Sequence, residues 1–289
     1  MKNKGCIFSV IVMSIMLAGC TANKITGEQE PFSAAEICME QLPPPPDPHL
    51  EFLPDGHLYT TLSIADIAGY NEPRQFLLSY YSQYPDLDTD YEAVPVALKY
   101  ILLTWKWEWR NDIVGELHAQ HGGGRTAIDE RRRNISQALS QILLDPQLDW
   151  LSGLLIHAYA DMYAHTKNAF NSEDEKAYNV WIGHALPSLF GEDPDSIKTE
   201  TGEPKYLGYI TALYNDMKLD TSNDHEFDAF KKRVDELECS GEKCPNFHAL
   251  HNNHPAGNAR IDKFMHCMNT TSRQLTKEEV QRAIDLINP

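Results

Sequence analysis

The chain has 289 residues, with 42 Asp and Glu against 25 Lys and Arg, a formal net charge of −17 and 42% hydrophobic residues. This is enough apolar material for one large domain with its own core. So acidic a surface repels phosphate backbones, which excludes duplex nucleic acid as a partner unless bound metal supplies the positive field.

The first segment carries a targeting pattern. Lys2 and Lys4 form a basic start, residues 6–18 are a short apolar run, and Leu17-Ala18-Gly19-Cys20 has the form of a lipoprotein cleavage box. The run is too short for a stable transmembrane helix. The expectation is a signal peptide over 1–19, cleavage before Cys20 and a lipid on its sulfur, giving a bacterial membrane lipoprotein that faces the periplasm or the exterior from the outer membrane. Residues 20–48, ending in a run of prolines, are expected to be a tether to a domain spanning 49–289. Cys38, Cys239, Cys244 and Cys267 then remain, and an oxidising compartment favours disulfides. Four cysteines permit three pairings. The expected one closes Cys239–Cys244 around a Gly-containing turn and ties the ends through Cys38–Cys267.

Beyond the prolines the apolar spacing predicts helices over 57–68, 72–84, 91–110, 126–144, 147–166, 172–190, 204–217, 225–238, 258–268 and 276–288. The last opens with Thr276 and Glu279 in capping-box spacing. No alternating run is long enough for a sheet, so the expected fold is all-α, one multi-helix domain with a disulfide-stapled C-terminal part. Trp105 and Trp109 are expected in the core. Trp107 points elsewhere, toward lipid or substrate in one reading. Arg131-Arg132-Arg133 is expected on a solvated helix face.

The chemistry concentrates in residues 154–166, LLIHAYADMYAHT. His157, Asp161 and His165 recur at four-residue steps and so share one helix face, with neighbouring Cα atoms ~6 Å apart. Adjacent members can share one ion, and Asp161, with two oxygens in the middle, can bridge a pair. A buried, hydrogen-bonded polar trio is the plainer reading of the same pattern. Further nitrogen and oxygen ligands fall at predicted helix ends and turns: His57, Asp86, His118, His184 and Asp195. Between Cys239 and Cys267 lie His248, His251, His254 and His266, which suit either a disulfide-stapled lobe or a mixed Cys/His site.

The order His57, Ser-Gln-Tyr-Pro-Asp86, Leu-His118, His157-x3-Asp161-x3-His165, Gly-His184 and Pro-Asp195 resembles the zinc-dependent phospholipase C superfamily, which includes the single-strand zinc nucleases. The stretches HLYTTLSIADIAGY, SQYPD, LLIHAYADMYAH and IGHALP look most like its uncharacterised bacterial members. The resemblance covers roughly residues 57–195. It implies two or three zinc ions: one among Asp86, His118, His157 and Asp161, a second on His165 and His184 completed by an acid such as Asp195, and His57 at a third. It also implies hydrolysis of phosphate esters, with a phospholipid head group among the substrates and Asp86 and Asp161 as the catalytic carboxylates. Zinc acidifies bound water toward neutral pH, and a nearby carboxylate serves as general base. Two features depart from the family. Lipidated Cys20 stands where those enzymes ligate through an N-terminal Trp, and Ser188 stands where they place an acid.

Other motifs fall short. His121-Gly122-Gly123-Gly124 resembles a lipase oxyanion loop, but no Gly-x-Ser-x-Gly elbow accompanies it. The rival functional class is a metal-binding or structural lipoprotein without turnover.

Overall fold

The centre of the molecule is a helix with no solvent face. In a computed structural model that describes residues 27–42, 55–99, 107–179, 197, 200–237 and 258–289, the segment Asp149–Ala164 is buried along nearly its whole length. Its residues are apolar all round, the pattern of a helix enclosed by others. Numbered in chain order, the helices are α1 (Pro31–Glu40), α2 (Thr60–Ile67), α3 (Glu72–Leu87), α4 (Ala93–Lys99), α5 (Trp107–Asn111), α6 (Arg125–Ile142), α7 (Asp149–Ala164), α8 (Gly202–Met217), α9 (Asp224–Asp235), α10 (Asn258–Thr271) and α11 (Lys277–Ile287). Wide π-type turns, Asp55–Tyr59 and Asp112–Leu117, lead into α2 and follow α5. The chain is all-α, as its periodicity indicates. Among the described residues no helix is long and apolar enough to cross a membrane.

Helix α7 packs against α3, α6, α8 and α11. Gly153 allows the closest approach, because a Cβ there would collide with Tyr81 Cβ and lie 2.9 Å from Leu78 O on α3. A mid-helix glycine costs ~1 kcal/mol in propensity, and here it removes the one side chain that would hold the two helices apart. Local signals set the ends. Asn71 caps α3 through the Arg74 N–H (3.2 Å), and Thr276 with Glu279 forms the expected capping box on α11.

The disulfide Cys38–Cys267 joins α1 to α10, with a Cα–Cα distance of 5.7 Å. Closing a loop of 229 residues removes denatured-state entropy worth roughly 5 kcal/mol in the chain-entropy model. It also takes Cys267 out of any metal site. Cys20, the proline run, Cys239–Cys244, Trp105 and the histidines between 248 and 254 lie outside the described residues.

Several expectations need correction. Residues 27–42 are not a free tether. Gly27 and Gln29 pair with Arg273 and Ser272, and α1 buries Ala34, Ala35 and Cys38. Its buried residues are mostly small, so its apolar face is a weak sequence signal. Among the described residues the predicted helix 91–110 begins later, at Ala93, and is present as α4 and α5, with residues 100–106 outside the description. Asp88 Oδ1 accepts the Asp90 N–H in a turn (3.0 Å), and Pro95 fits only a first helical turn, which starts α4 at Ala93. No helix starts at 172. Asn168 and Asn171 take left-handed φ values of 68° and 62°, and a short antiparallel pair forms between β1 (Thr166–Lys167) and β2 (Lys176–Ala177). The arginine run is not a uniformly solvated face either, since Arg132 is buried on Glu175 at 2.8 Å.

Candidate metal centre

Four elements deliver the polar groups to one place. His57 comes from the turn before α2, Asp86 from the last turn of α3, and His118 from the end of the second π-type turn. His157 and Asp161 lie one helical turn apart on α7, and His165 follows its last residue. The structure gathers His57, Asp86, His118, His157 and Asp161 into one cluster with His165 on its flank. His184 and Asp195 lie outside the described residues.

Asp161 is the hub. Its Oδ1 lies 3.2 Å from His57 Nε2, and its Oδ2 lies 3.2 Å from His118 Nδ1, 3.4 Å from His157 Nε2 and 3.5 Å from His165 Nδ1. Asp86 spans the same pair from the solvent side, 3.8 Å from His57 Nε2 and 3.9 Å from His118 Nδ1, with Gln83 donating to it at 3.0 Å. The His57 and His157 rings stack at 4.2 Å. His118, His157 and Asp161 are 2%, 0% and 3% exposed, whereas the Asp86 side chain is 36% exposed and forms the mouth.

The backbone fixes which nitrogens are bare. A carbonyl only accepts, so His157 Nδ1–H donates to Ser82 O (2.9 Å) and His118 Nε2–H donates to Tyr91 O (2.9 Å). In the neutral rings, His157 Nε2 and His118 Nδ1 then carry lone pairs, 3.1 Å apart and both turned on Asp161 Oδ2. Three acceptors facing one another repel. A single added proton pairs one of these contacts, whereas a cation between them satisfies all three. Imidazoles oriented from behind by carbonyls are the usual arrangement around a metal.

The titration directions agree. Burial, then the charge of His57, pushes the His157 pKa down. Burial alone would raise Asp161, but the charges available to His165 and His157 prevail and hold it well below the usual carboxylate range. Burial also opposes charge on His57, yet Asp161 and Asp86 outweigh it and its pKa rises. The two carboxylates thus favour a proton on His57, whose Nδ1 is buried without a hydrogen-bond partner.

The residues fit a metal ion. His118, His157 and Asp161 each bring a ligating atom within 4.8 Å of the others, as do His57, Asp86 and His157. The two groups share His157, so among the described residues they adjoin in one cluster. His165 is turned differently. Its Nδ1–H donates to His118 O (2.8 Å), so the nitrogen facing Asp161 holds a proton and its lone pair is on Nε2.

Other contributors carry no sequence signal of their own. The carbonyls of Ser82 and Tyr91 are backbone groups. Ala119, directly after His118, has φ +55°, a left-handed value costly for a residue with a Cβ. Glu92 is near enough to feel both Asp86 and His118, and burial followed by the Asp86 charge raises its pKa.

No protein-family model, no curated protein and no solved structure matches this chain. What the centre does therefore has to be argued from its own geometry.

Proposed function

We propose that the cluster is a zinc centre for the hydrolysis of phosphate esters, carried by a lipoprotein anchored to a bacterial membrane through Cys20. One observation carries the metal assignment: the bare nitrogens of His118 and His157 converge with Asp161 Oδ2 at 3.1, 3.2 and 3.4 Å. Ligands 2.0–2.1 Å from a tetrahedral ion are separated by about 3.3 Å. The cluster has that size, and its imidazole nitrogens do not suit calcium, which takes six to eight oxygens. Two imidazoles and a carboxylate are also zinc's usual donors.

His118, His157 and Asp161 would hold the ion, with Asp86 and His57 on the open side. When bound, zinc supplies Lewis acidity, lowering the pKa of water and offsetting charge on a phosphoryl group. Asp161, buried and held ionised, is a ligand and a poor proton acceptor. Asp86 reaches solvent and is kept in place by Gln83, so it is the carboxylate suited to take a proton from an attacking water. His57 Nε2 lies 3.2 Å from Asp161 Oδ1 and, when protonated, would donate to it and add positive charge at the mouth. The resemblance to the phospholipase C superfamily supports the reaction class, and the lipoprotein box supports membrane lipid as the nearby phosphodiester.

The burial of His118, His157 and Asp161 favours a second reading, a non-catalytic metal-binding lipoprotein with a closed site. Metal analysis and turnover separate the two. Mature protein should hold at least one zinc per chain and cleave chromogenic phosphodiesters or monoesters, and Asp161→Asn should lose both. Zinc retained with equal, near-zero rates in both proteins would leave the non-catalytic reading. Under one zinc per chain after supplementation would sink the metal centre.

A further inference from the structure

Beneath the cluster, Tyr91 links an imidazole to the C-terminal part of the chain. Its carbonyl accepts His118 Nε2–H at 2.9 Å, and its phenol donates to Leu275 O at 2.6 Å. Leu275 N–H in turn donates to Tyr84 Oη at 2.8 Å. Tyr84 O–H donates to Asp88 Oδ2 at 3.0 Å, and Gln274 Nε2–H donates to Asp88 Oδ1 at 2.9 Å. Gln274 and Leu275 are thus stitched to the segment between α3 and α4. Just upstream, Arg273 forks to Glu30 and Glu279, and Cys267 is bonded to Cys38. Tyr91 is 5% exposed, with the Tyr84 and Trp109 rings 6.1 and 6.3 Å from its own.

We propose that Tyr91 is a positioning residue of the metal centre: its phenol, anchored on Leu275 O, fixes the backbone carbonyl that holds His118 in its metal-binding tautomer and orientation. The inference rests on reading the cluster as a metal centre. A neutral imidazole has two tautomers of similar energy, and the acceptor behind it selects one. The Tyr91 carbonyl can keep its direction only while the residue's backbone dihedrals are held. The phenol bond holds them from the opposite end of the residue. The C-terminal segment, far from the ligands in sequence, thereby helps to aim one of them.

Cobalt(II) reports the site through its visible absorption, so it is the probe for titrations of the mature chain, Tyr91→Phe and Tyr214→Phe. The Tyr214 hydroxyl donates to Asp224 (2.8 Å) at the α8–α9 contact and serves as a control for the loss of one phenol hydrogen bond. Tyr91→Phe should weaken cobalt binding about 10-fold, the lower end for second-layer partners of a metal ligand, and alter the absorption band. Tyr214→Phe should leave both unchanged while lowering the thermal midpoint of the metal-free protein by a similar amount. Binding by Tyr91→Phe within threefold of wild type overturns the proposal, as does equal weakening by Tyr214→Phe. If Tyr91→Phe does not fold, Gln274→Ala decides. It loosens the same segment without touching the Tyr91 carbonyl that holds His118, and unchanged affinity there overturns the proposal. Wild-type protein that takes up no cobalt or zinc refutes the metal centre itself, a failure distinct from that of Tyr91.

Discussion

Glu175 and Asp161 are both buried carboxylates, 1% and 3% exposed, and their surroundings are opposite in kind. Glu175 meets only donors: Arg132 at 2.8 Å, Arg125 at 3.2 Å, the Thr166 hydroxyl at 3.1 Å and the Asn171 N–H at 3.0 Å. Arg132 also lies over the Tyr163 ring at 4.1 Å and donates to Met162 O. That site is electrostatically closed and holds the loop between β1 and β2 against α6. Asp161 instead faces two imidazole nitrogens whose protons point away, to Ser82 O and Tyr91 O. Glu175 is thus self-sufficient, whereas under the metal-centre reading Asp161 depends on a cation. That dependence, more than the presence of His and Asp together, distinguishes a ligand set from a structural ion pair.

The largest expected effect separates the two sites. Glu175→Ala strands Arg132 in the interior and should cost on the order of 3–5 kcal/mol, read as a lower urea midpoint, with zinc stoichiometry unchanged. Asp161→Asn should do the reverse. It should lose the metal while the metal-free protein stays within about 1 kcal/mol of wild type, because the amide can donate to a nitrogen that the carboxylate only faced. If metal-free Asp161→Asn loses as much stability as Glu175→Ala, the comparison fails.

Chelation gives the next effect. Metal that binds only the folded state adds about 2.7 kcal/mol at a free concentration 100 times Kd, so the thermal midpoint of wild type should climb with added zinc. The same titration should leave Asp161→Asn flat, and Glu175→Ala should climb in parallel with wild type from a lower start.

How far these sites were legible follows from how each is built. His157, Asp161 and His165 stand at a helical repeat, so α7 placed them on one face by periodicity alone. Asp86, His118 and His57 sit at the end of a helix and in irregular turns, where no period applies, and only their order suggested that they converge. Arg132 looked like part of a surface run because its partner, Glu175, lies 43 residues away in a segment expected to be helical. The tyrosine-anchored carbonyl behind His118 had no sequence signature at all, since every residue carries a carbonyl. The all-α fold was plain. The docking of α1 was not, because Ala34, Ala35 and Cys38 form too small an apolar face to stand out.

A smaller effect tests whether acid sensitivity arises beside the centre or within it. His121 accepts the Gly123 N–H at Nδ1 (3.0 Å), and burial, aided by Arg131, lowers its pKa to about 3. A histidine depressed in the folded state contributes stability that is complete above its unfolded pKa of about 6.5 and is lost as pH falls toward the folded value. His121→Gln should therefore flatten the decline of the metal-free urea midpoint between pH 6.5 and 4, with no change in metal affinity at pH 7.5. An unchanged slope would move the acid sensitivity to His157, whose pKa burial also lowers.

The smallest effect concerns Ala119, whose φ of +55° follows directly on His118. A left-handed residue with a Cβ costs roughly 1–2 kcal/mol, whereas glycine adds about 0.5–1 kcal/mol of unfolded-state entropy. Ala119→Gly should thus leave metal-free stability level or raise it by up to about 1 kcal/mol. The His118 carbonyl ahead of this residue takes the His165 Nδ1–H, so the same turn aims two imidazoles. If its strain serves the centre, the glycine variant should be no less stable than wild type and yet bind zinc more weakly, since a freer turn must be ordered when the ion binds. A variant improved in stability and unchanged in affinity would show the strain to be incidental, and would leave the Tyr91 carbonyl as the principal constraint on His118.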